Sequence, residues 1–234
     1  MRVILFVCAL VLVSPAESAH GAPPDERELA ALIHRVETRY GAARTLRVAF
    51  LERYLENGRV VRVEAGNAYF LKPGKMRWNY EAPEKNVFLV DGKYAWFYSP
   101  ADRTATRMLA KDSEDWRTPI AFLTSHMKMS RLCARLEPDN TNQRQASDDE
   151  VFRCVLREET QSQSATSPPA VFELSRAGEL KRIVVPEEGG RELEFSFTGW
   201  QWNPALDKSL FEFVPPRGVA IVEGLLPDSP AGPQ

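Results

Sequence analysis

The chain has 234 residues, of which 44% are hydrophobic and 26% are charged, and this ordinary globular composition excludes wholesale disorder. The 30 Lys and Arg residues against 32 Asp and Glu residues give a formal net charge of −2, so the chain lacks the basic excess that nucleic-acid binding requires. Prolines (17) outnumber glycines (13) and aromatic residues reach 10%, a balance that favours strands and turns over a helical bundle.

The N-terminus has the pattern of a secretory signal peptide. Arg2 precedes an apolar run from Val3 to Val13, which small and polar residues follow. The run is shorter than the roughly 20 residues that a membrane-spanning helix needs, although a permanent N-terminal anchor stays open as an alternative. We therefore expect a signal peptide over residues 1–22, a single domain over 23–226 and a disordered tail over 227–234.

An amphipathic helix from Pro24 to Tyr40 is the first predicted element after this segment. Pro24 suits the first helical position, acidic residues in the first turn complement the helix dipole, and Gly41 is expected to end the helix. The helix needs an apolar partner surface, because one face carries apolar residues at helical spacing: Leu29, Leu32, Ile33, Val36 and Tyr40.

Hairpins are predicted to follow the helix. Turn sequences at Asn57-Gly58, Asp91-Gly92, Ala177-Gly178 and 187–190 separate strand-like runs. This succession predicts one large antiparallel sheet rather than a parallel one. The predicted strands cover 48–55, 60–71, 76–80, 87–90, 94–98, 171–175 and 180–185, with a further strand at Leu193.

One segment between the two halves of the predicted sheet breaks this pattern. Thr118 suits a helix N-cap and Pro119 suits the first helical position. We therefore expect a short helix here that presents Ile120, Phe122 and Leu123.

Cys133 and Cys154 are the cysteines that remain once the predicted signal peptide is removed. They lie in strand-like runs, 129–136 and 151–156, on either side of a polar loop. In an exported chain this arrangement favours one disulfide between neighbouring antiparallel strands. Two free buried thiols are the alternative, and no metal site is expected.

Catalytic constellations are missing from the sequence. There is no Gly-x-Ser-x-Gly elbow, no His-Glu-x-x-His and no phosphate-binding glycine loop, and the three histidines (His20, His34, His126) are far apart along the chain. We therefore expect a protein that is not an enzyme.

Large apolar side chains are concentrated in the predicted strands. Met76, Trp78 and Tyr80 alternate with Arg77 and Asn79, so one face of that strand is apolar and the other is polar. An ordinary packed core is the simpler interpretation, but two short helices offer little cover for so broad a sheet. We therefore predict an apolar ligand cavity. The wall is predicted to consist of Phe50, Tyr69, Leu71, Met76, Trp78, Tyr80, Leu89, Trp96 and Tyr98.

Several stretches of the chain together carry a family resemblance. They are residues 46–50, 66–80 with Pro83, 90–100, Thr118-Pro119 and 211–219. In sequence and order they resemble the LolA family of periplasmic outer-membrane lipoprotein carriers, over about residues 28–222. In that family the last stretch corresponds to a C-terminal strand and turn.

The resemblance implies a mainly β fold, an incomplete antiparallel barrel around an apolar cavity that a lid of short α-helices closes. It implies a periplasmic carrier, monomeric and without a cofactor, that binds the acyl chains of lipoproteins. An inner-membrane ABC transporter would release these lipoproteins, and an outer-membrane acceptor or the membrane itself would receive them. The lid residues would be Leu29, Leu32, Ile33, Val36, Ile120, Phe122 and Leu123.

Two positions depart from the family pattern. The first-strand motif usually continues with Gln, where this chain has Glu52, and the arginine that latches the lid in family members corresponds to Lys72. Lys72 is the candidate latch here, but its single ammonium group binds several carbonyls less well than a planar guanidinium does. A solvated lysine at a strand end is the alternative.

The sequence leaves other functions open. The same cavity would suit a sensor of the envelope-stress type, or a carrier for another amphiphile such as a free lipid. A hydrolase is disfavoured by the missing constellations.

Overall fold

A computed structural model describes residues 26–112, 128–139, 149–157, 168–187, 189–224 and 226. The predicted signal peptide, the predicted helix with Ile120, Phe122 and Leu123, and the predicted tail lie outside these residues.

The described part of the chain is built around one sheet of 12 strands. Helix α1 (Glu26–Ala42) precedes the sheet, and a helical turn, α2 (Met129–Leu132), lies between the two halves of it. The strands are β1 (Thr45–Glu56), β2 (Arg59–Leu71), β3 (Lys75–Ala82), β4 (Val87–Val90), β5 (Tyr94–Ser99), β6 (Thr104–Leu109), β7 (Cys133–Pro138), β8 (Glu150–Leu156), β9 (Ala170–Leu174), β10 (Leu180–Glu187), β11 (Arg191–Trp202) and β12 (Ala220–Glu223).

The sheet consists of two meanders that meet at their longest strands. Strands β1 to β6 lie side by side in chain order, strands β7 to β11 do the same, and β1 pairs with β11. The pairings are antiparallel except that β12 runs parallel to β6 at one edge. Because β12 and β7 form the two edges, the described sheet is open, as an incomplete barrel requires.

The predicted hairpin turns are confirmed. Asn57 and Gly58 have φ angles of 50° and 75°, the left-handed conformation that a two-residue hairpin turn favours because its twist matches that of the strands. The N–H of Asn57 donates to the Gly190 carbonyl at 2.9 Å, so the β1–β2 and β10–β11 turns lie side by side.

The structure corrects one predicted helix boundary and one predicted strand boundary. Helix α1 continues through Gly41 to Ala42, and the Ala43 N–H closes its end by donating to the Tyr40 carbonyl at 3.2 Å. Met129–Leu132, expected to be strand, is helical, and the strand begins only at Cys133. A tertiary contact outweighs the local pattern there, because the Glu37 carboxylate accepts the Met129 N–H at 2.8 Å.

The C-terminal strand also lies later than expected. Residues 211–219 hold the end of a 3₁₀ turn, Lys208–Phe211, and β12 begins only at Ala220. Pro215 and Pro216 lack the N–H groups that a paired strand needs, which explains the displacement.

Cys133 and Cys154 form a disulfide, with their Cα atoms 5.3 Å apart. They lie on β7 and β8, which pair antiparallel. The structure therefore contains the pairing that the sequence favours, in place of two free thiols.

Candidate functional site

Aromatic rings line the face of the sheet that packs against α1, which we call the inner face. The Phe50 ring lies 4.7 Å from Trp78 and 5.2 Å from Tyr80, measured between ring centroids. From the other meander, Phe195 lies 5.6 Å and Phe197 lies 6.4 Å from Trp78. All these side chains are buried. They join both halves of the sheet into one apolar surface with Trp78 at its centre.

A glycine on β2 makes room for these rings. Gly66 pairs with Tyr80 of β3 and lies beneath Phe50. A Cβ atom at this position would come within 3.0 Å of the Phe50 ring and 1.9 Å of the Asn79 carbonyl oxygen. The absence of a side chain therefore permits close packing of the Phe50 ring on the strand below.

The predicted wall residues do not all lie on the inner face, and this corrects the single-wall prediction. Phe50, Met76, Trp78 and Tyr80 belong to the cluster that includes α1. Strand parity places the others in a separate cluster on the opposite, outer face, because they alternate with inner residues such as Phe70 and Phe97. These outer residues are Tyr69, Leu71, Leu89, Trp96 and Tyr98.

The segment between β11 and β12, residues 203–219, covers the outer cluster, and we call it the C-terminal strap. Its Phe213 ring lies 4.7 Å from Trp96 and 5.7 Å from Tyr98. Arg77 donates from Nη1 to the Leu210 carbonyl at 3.0 Å. The outer aromatic residues therefore hold the strap against the sheet.

The inner face also contains aromatic residues that were not predicted as wall residues. Phe152 on β8 and Phe172 on β9 stack with their centroids 5.3 Å apart, and Phe195 and Phe197 stack on β11. The alternation of Leu193, Phe195 and Phe197 with polar residues is a pattern that could have identified β11 as part of the wall.

A buried polar cluster interrupts the inner face. Glu52 and Glu64 are paired positions on β1 and β2, and both side chains are buried. The Tyr80 hydroxyl donates to Glu52 Oε2 at 2.9 Å, and the Tyr54 hydroxyl contacts both carboxylates. Arg62 forms an ion pair with Glu64 at 2.5 Å. Glu52 is therefore an acceptor for tyrosine hydroxyls.

Helix α1 covers part of the inner face. Among the predicted lid residues on it, Leu29, Leu32 and Val36 are buried in the inner cluster and Ile33 is partly buried against it. Because this apolar face packs on the sheet, the described part of the lid is closed.

Polar contacts anchor the C-terminal end of α1. The Leu180 N–H donates to the Tyr40 hydroxyl oxygen at 3.0 Å, and burial raises the pKa of Tyr40, so its hydroxyl stays neutral. Arg39 pairs with Glu179 at 2.9 Å and lies 4.4 Å above the Trp202 ring. This end of the helix is therefore held to the β10–β11 half of the sheet.

Lys72 also contacts this end of α1. Its ammonium group donates to the Tyr40 carbonyl, and its backbone N–H donates to the Arg44 carbonyl at 3.0 Å. Burial lowers the pKa of Lys72. A cation beside the C-terminal end of a helix interacts favourably with the helix dipole. Lys72 is thus half-buried against the helix rather than fully solvated.

The described residues contain neither a cluster of metal-ligating side chains nor a helix that could span a membrane. Among them, no group of three or more His, Cys, Asp or Glu side chains is arranged to hold a metal ion. In the same part of the chain, no helix combines the length and the hydrophobicity that crossing a bilayer requires.

Comparison with known proteins gives consistent matches. The family model described as outer membrane lipoprotein carrier protein LolA matches residues 43–214. The outer-membrane lipoprotein carrier protein of Photobacterium profundum is 30% identical over 157 residues, which cover 67% of this chain and 70% of that protein. The protein of the same name from Nitrosomonas europaea is 27% identical over 199 residues, which cover 82% of this chain and 89% of that protein.

Among solved structures, an uncharacterized conserved protein from Thermus thermophilus has a similar fold. It superposes with a TM-score of 0.53 at 11% sequence identity, covering 84% of this chain and 99% of that chain.

Proposed function

Because the chain belongs to the LolA family of outer membrane lipoprotein carrier proteins, we propose that it binds the acyl chains of lipoproteins in the periplasm and carries them to the outer membrane. The observation that carries this proposal is the aromatic inner face around Trp78, which spans both halves of the open sheet. The family is one of transport proteins, and we assign no catalytic step to this chain.

Acyl chains would bind to the inner face by hydrophobic burial. Each buried CH₂ group contributes roughly 0.8 kcal/mol, so a chain of about fifteen carbons contributes on the order of 10 kcal/mol. Release of such a chain into water would be slow. Delivery therefore requires contact with an acceptor or with a membrane.

The closed position of α1 opposes this binding. Leu29, Leu32 and Val36 occupy part of the inner face that acyl chains would use. A ligand must displace these contacts, so its net affinity is lower than the burial of its chain alone would give. Lower affinity keeps transfer to the next partner possible.

We assign Lys72 the role of the latch that holds α1 closed. Its ammonium group bonds the carbonyl of Tyr40, near the end of the helix, while its backbone is fixed at the end of β2. Lys72 therefore connects the helix to the β1–β6 meander, whereas Arg39 and Tyr40 connect it to the β7–β11 meander.

The remaining partners follow from the same proposal. An inner-membrane ABC transporter would supply the lipoprotein, and an outer-membrane acceptor or the membrane itself would receive it, with the carrier acting as a monomer. A signal peptide over 1–22 would direct export, leaving one carrier domain over 23–226 and a tail over 227–234. The alternative of a sensor or a carrier for another amphiphile is not favoured, since the curated relatives are named lipoprotein carriers.

Site-specific photo-crosslinking in periplasm tests the carrier function. A photo-reactive residue at Trp78, on the inner face, should capture acylated lipoproteins. The same residue at Asn79, the neighbour on the opposite side of β3, serves as the matched control and should capture little. Capture only from Asn79, or capture of unacylated precursors equal to that of acylated ones, would contradict the proposal.

A further inference from the structure

The indole nitrogen of Trp78 is buried without an acceptor. The side chain is 0% exposed, and Nε1 has no hydrogen-bond partner among the described residues. By contrast, Trp96 Nε1 donates to Asp91 at 3.0 Å and Trp200 Nε1 donates to the Leu180 carbonyl at 2.7 Å. An N–H group that leaves water without finding an acceptor destabilises the folded protein, so a buried donor of this kind needs a functional explanation.

The surroundings of Trp78 are aromatic and lie at the centre of the inner face. Phe50, Phe70, Phe195 and Phe197 all have ring centroids between 4.7 and 6.4 Å from that of Trp78. The donor is therefore placed where the proposed acyl ligand would bind.

We propose that Trp78 Nε1 donates a hydrogen bond to the carbonyl oxygen of the bound acyl group, an ester or an amide. The inner face then recognises the acyl linkage as well as the hydrocarbon chain. This inference rests on the proposed carrier function and adds to it a residue that determines specificity.

The neighbouring polar cluster favours a neutral carbonyl over a carboxylate. Trp78 and Tyr80 are successive inner-face residues of β3, both contact Phe50, and Tyr80 bonds Glu52. A free fatty acid would bring its negative charge close to the buried Glu52 and Glu64 side chains. An ester or amide carbonyl accepts the indole N–H without that repulsion.

A matched pair of lipids tests the inference in the mature protein. Palmitoyl lysophosphatidylcholine and its hexadecyl ether analogue have the same headgroup and nearly the same chain, but only the first has a carbonyl. We expect the wild type to bind the ester about five- to tenfold more tightly, the usual contribution of one net hydrogen bond. Trp78→Phe should bind both lipids about as well as the wild type binds the ether.

Trp202→Phe provides the matched control. Trp202 Nε1 also lacks an acceptor among the described residues, but its ring lies under Arg39 at the end of α1. This variant should keep the preference for the ester. Loss of the preference in Trp202→Phe, with Trp78→Phe unchanged, would overturn the assignment.

Nuclear magnetic resonance of the wild type gives a readout that a purely structural role would not produce. The protein has five tryptophans, and the indole N–H resonance of Trp78 should move downfield with the ester and not with the ether. Two results would overturn this inference: a Trp78 resonance that does not respond to the ester, or equal affinity of the wild type for the two lipids. If a diacylated lipopeptide still binds, the carrier function stands and only this inference fails. Failure to bind the lipopeptide as well would overturn the carrier function with it.

Discussion

Glu52 and Glu64 lie opposite each other across β1 and β2, and both side chains are buried. Paired carboxylates without donors would repel, but here the hydroxyls of Tyr54 and Tyr80 and the guanidinium of Arg62 bond them. A single side chain, Glu52, therefore positions tyrosines from two strands beside the apolar wall.

Substitutions of Glu52 should separate its hydrogen bonds from its charge. Glu52→Gln keeps an acceptor oxygen for Tyr80 and should change the free energy of unfolding by less than about 1 kcal/mol. Glu52→Leu removes the acceptor of the buried Tyr80 hydroxyl and one of the two carboxylates that accept from Tyr54, and should lower it by about 1–3 kcal/mol. Urea denaturation measures both values. Equal effects of the two substitutions would show that the carboxylate is not acting as an acceptor.

Gly66 should tolerate no side chain. In Gly66→Ala the new Cβ would overlap the Asn79 carbonyl, so β2 and β3 must move apart, and we expect a loss of about 3 kcal/mol in the free energy of unfolding. Gly41→Ala in α1 is the control: nothing lies within 4 Å of its Cβ position, and alanine favours the helix by roughly 0.5–1 kcal/mol. Thermal unfolding of both variants checks the prediction, which a stable Gly66→Ala protein would contradict.

Hairpin turns were the most predictable elements of the chain. The dipeptides Asn57-Gly58 and Asp91-Gly92 predicted the positions of two turns correctly, because few residue types adopt the backbone angles that such turns need. The face that each aromatic side chain occupies could not be predicted equally well. β4 and β5 are buried on both sides, so their sequences do not distinguish the inner face from the outer.

Long-range contacts explain the predictions that failed. The strap that covers Trp96 and Tyr98 is more than a hundred residues away along the chain, as are the β12 residues that pair with β6. A local pattern holds no information about such partners. The inner-face wall was therefore predictable on β3, where Met76, Trp78 and Tyr80 alternate with polar residues. Trp96 was predicted to belong to the same wall, but it lies on the outer face.

The disulfide should stabilise the β7 edge of the sheet. The bridged cysteines are separated by 21 residues, and closing a loop of this length restricts the unfolded chain. We expect the free energy of unfolding of the Cys133→Ser/Cys154→Ser double variant to be about 3 kcal/mol lower than that of the oxidised wild type. Reduced wild type is the control and should match the variant. Labelling of two thiols in the unfolded, unreduced protein would contradict the bridge.

Helix α1 connects the two meanders of the molecule. Tyr40 and Arg39 attach its C-terminal end to Leu180 and Glu179 on the β10 side, while Lys72 attaches the same end to β2. The closed molecule therefore depends on contacts from both halves of an open sheet. Weakening one attachment should favour opening without unfolding either meander.

Lys72→Leu tests this dependence. The leucine cannot bond the Tyr40 carbonyl, so amide hydrogen exchange should rise in the last turn of α1, at residues 37–42. The closed state competes with the ligand, and weakening it should increase retention of a bound lipoprotein and slow its transfer to an acceptor. Lys85→Leu, at an exposed lysine before β4, is the control and should match the wild type. If exchange and transfer in Lys72→Leu also match the wild type, α1 is held closed by apolar packing and by its β10 contacts, and Lys72 is not a latch.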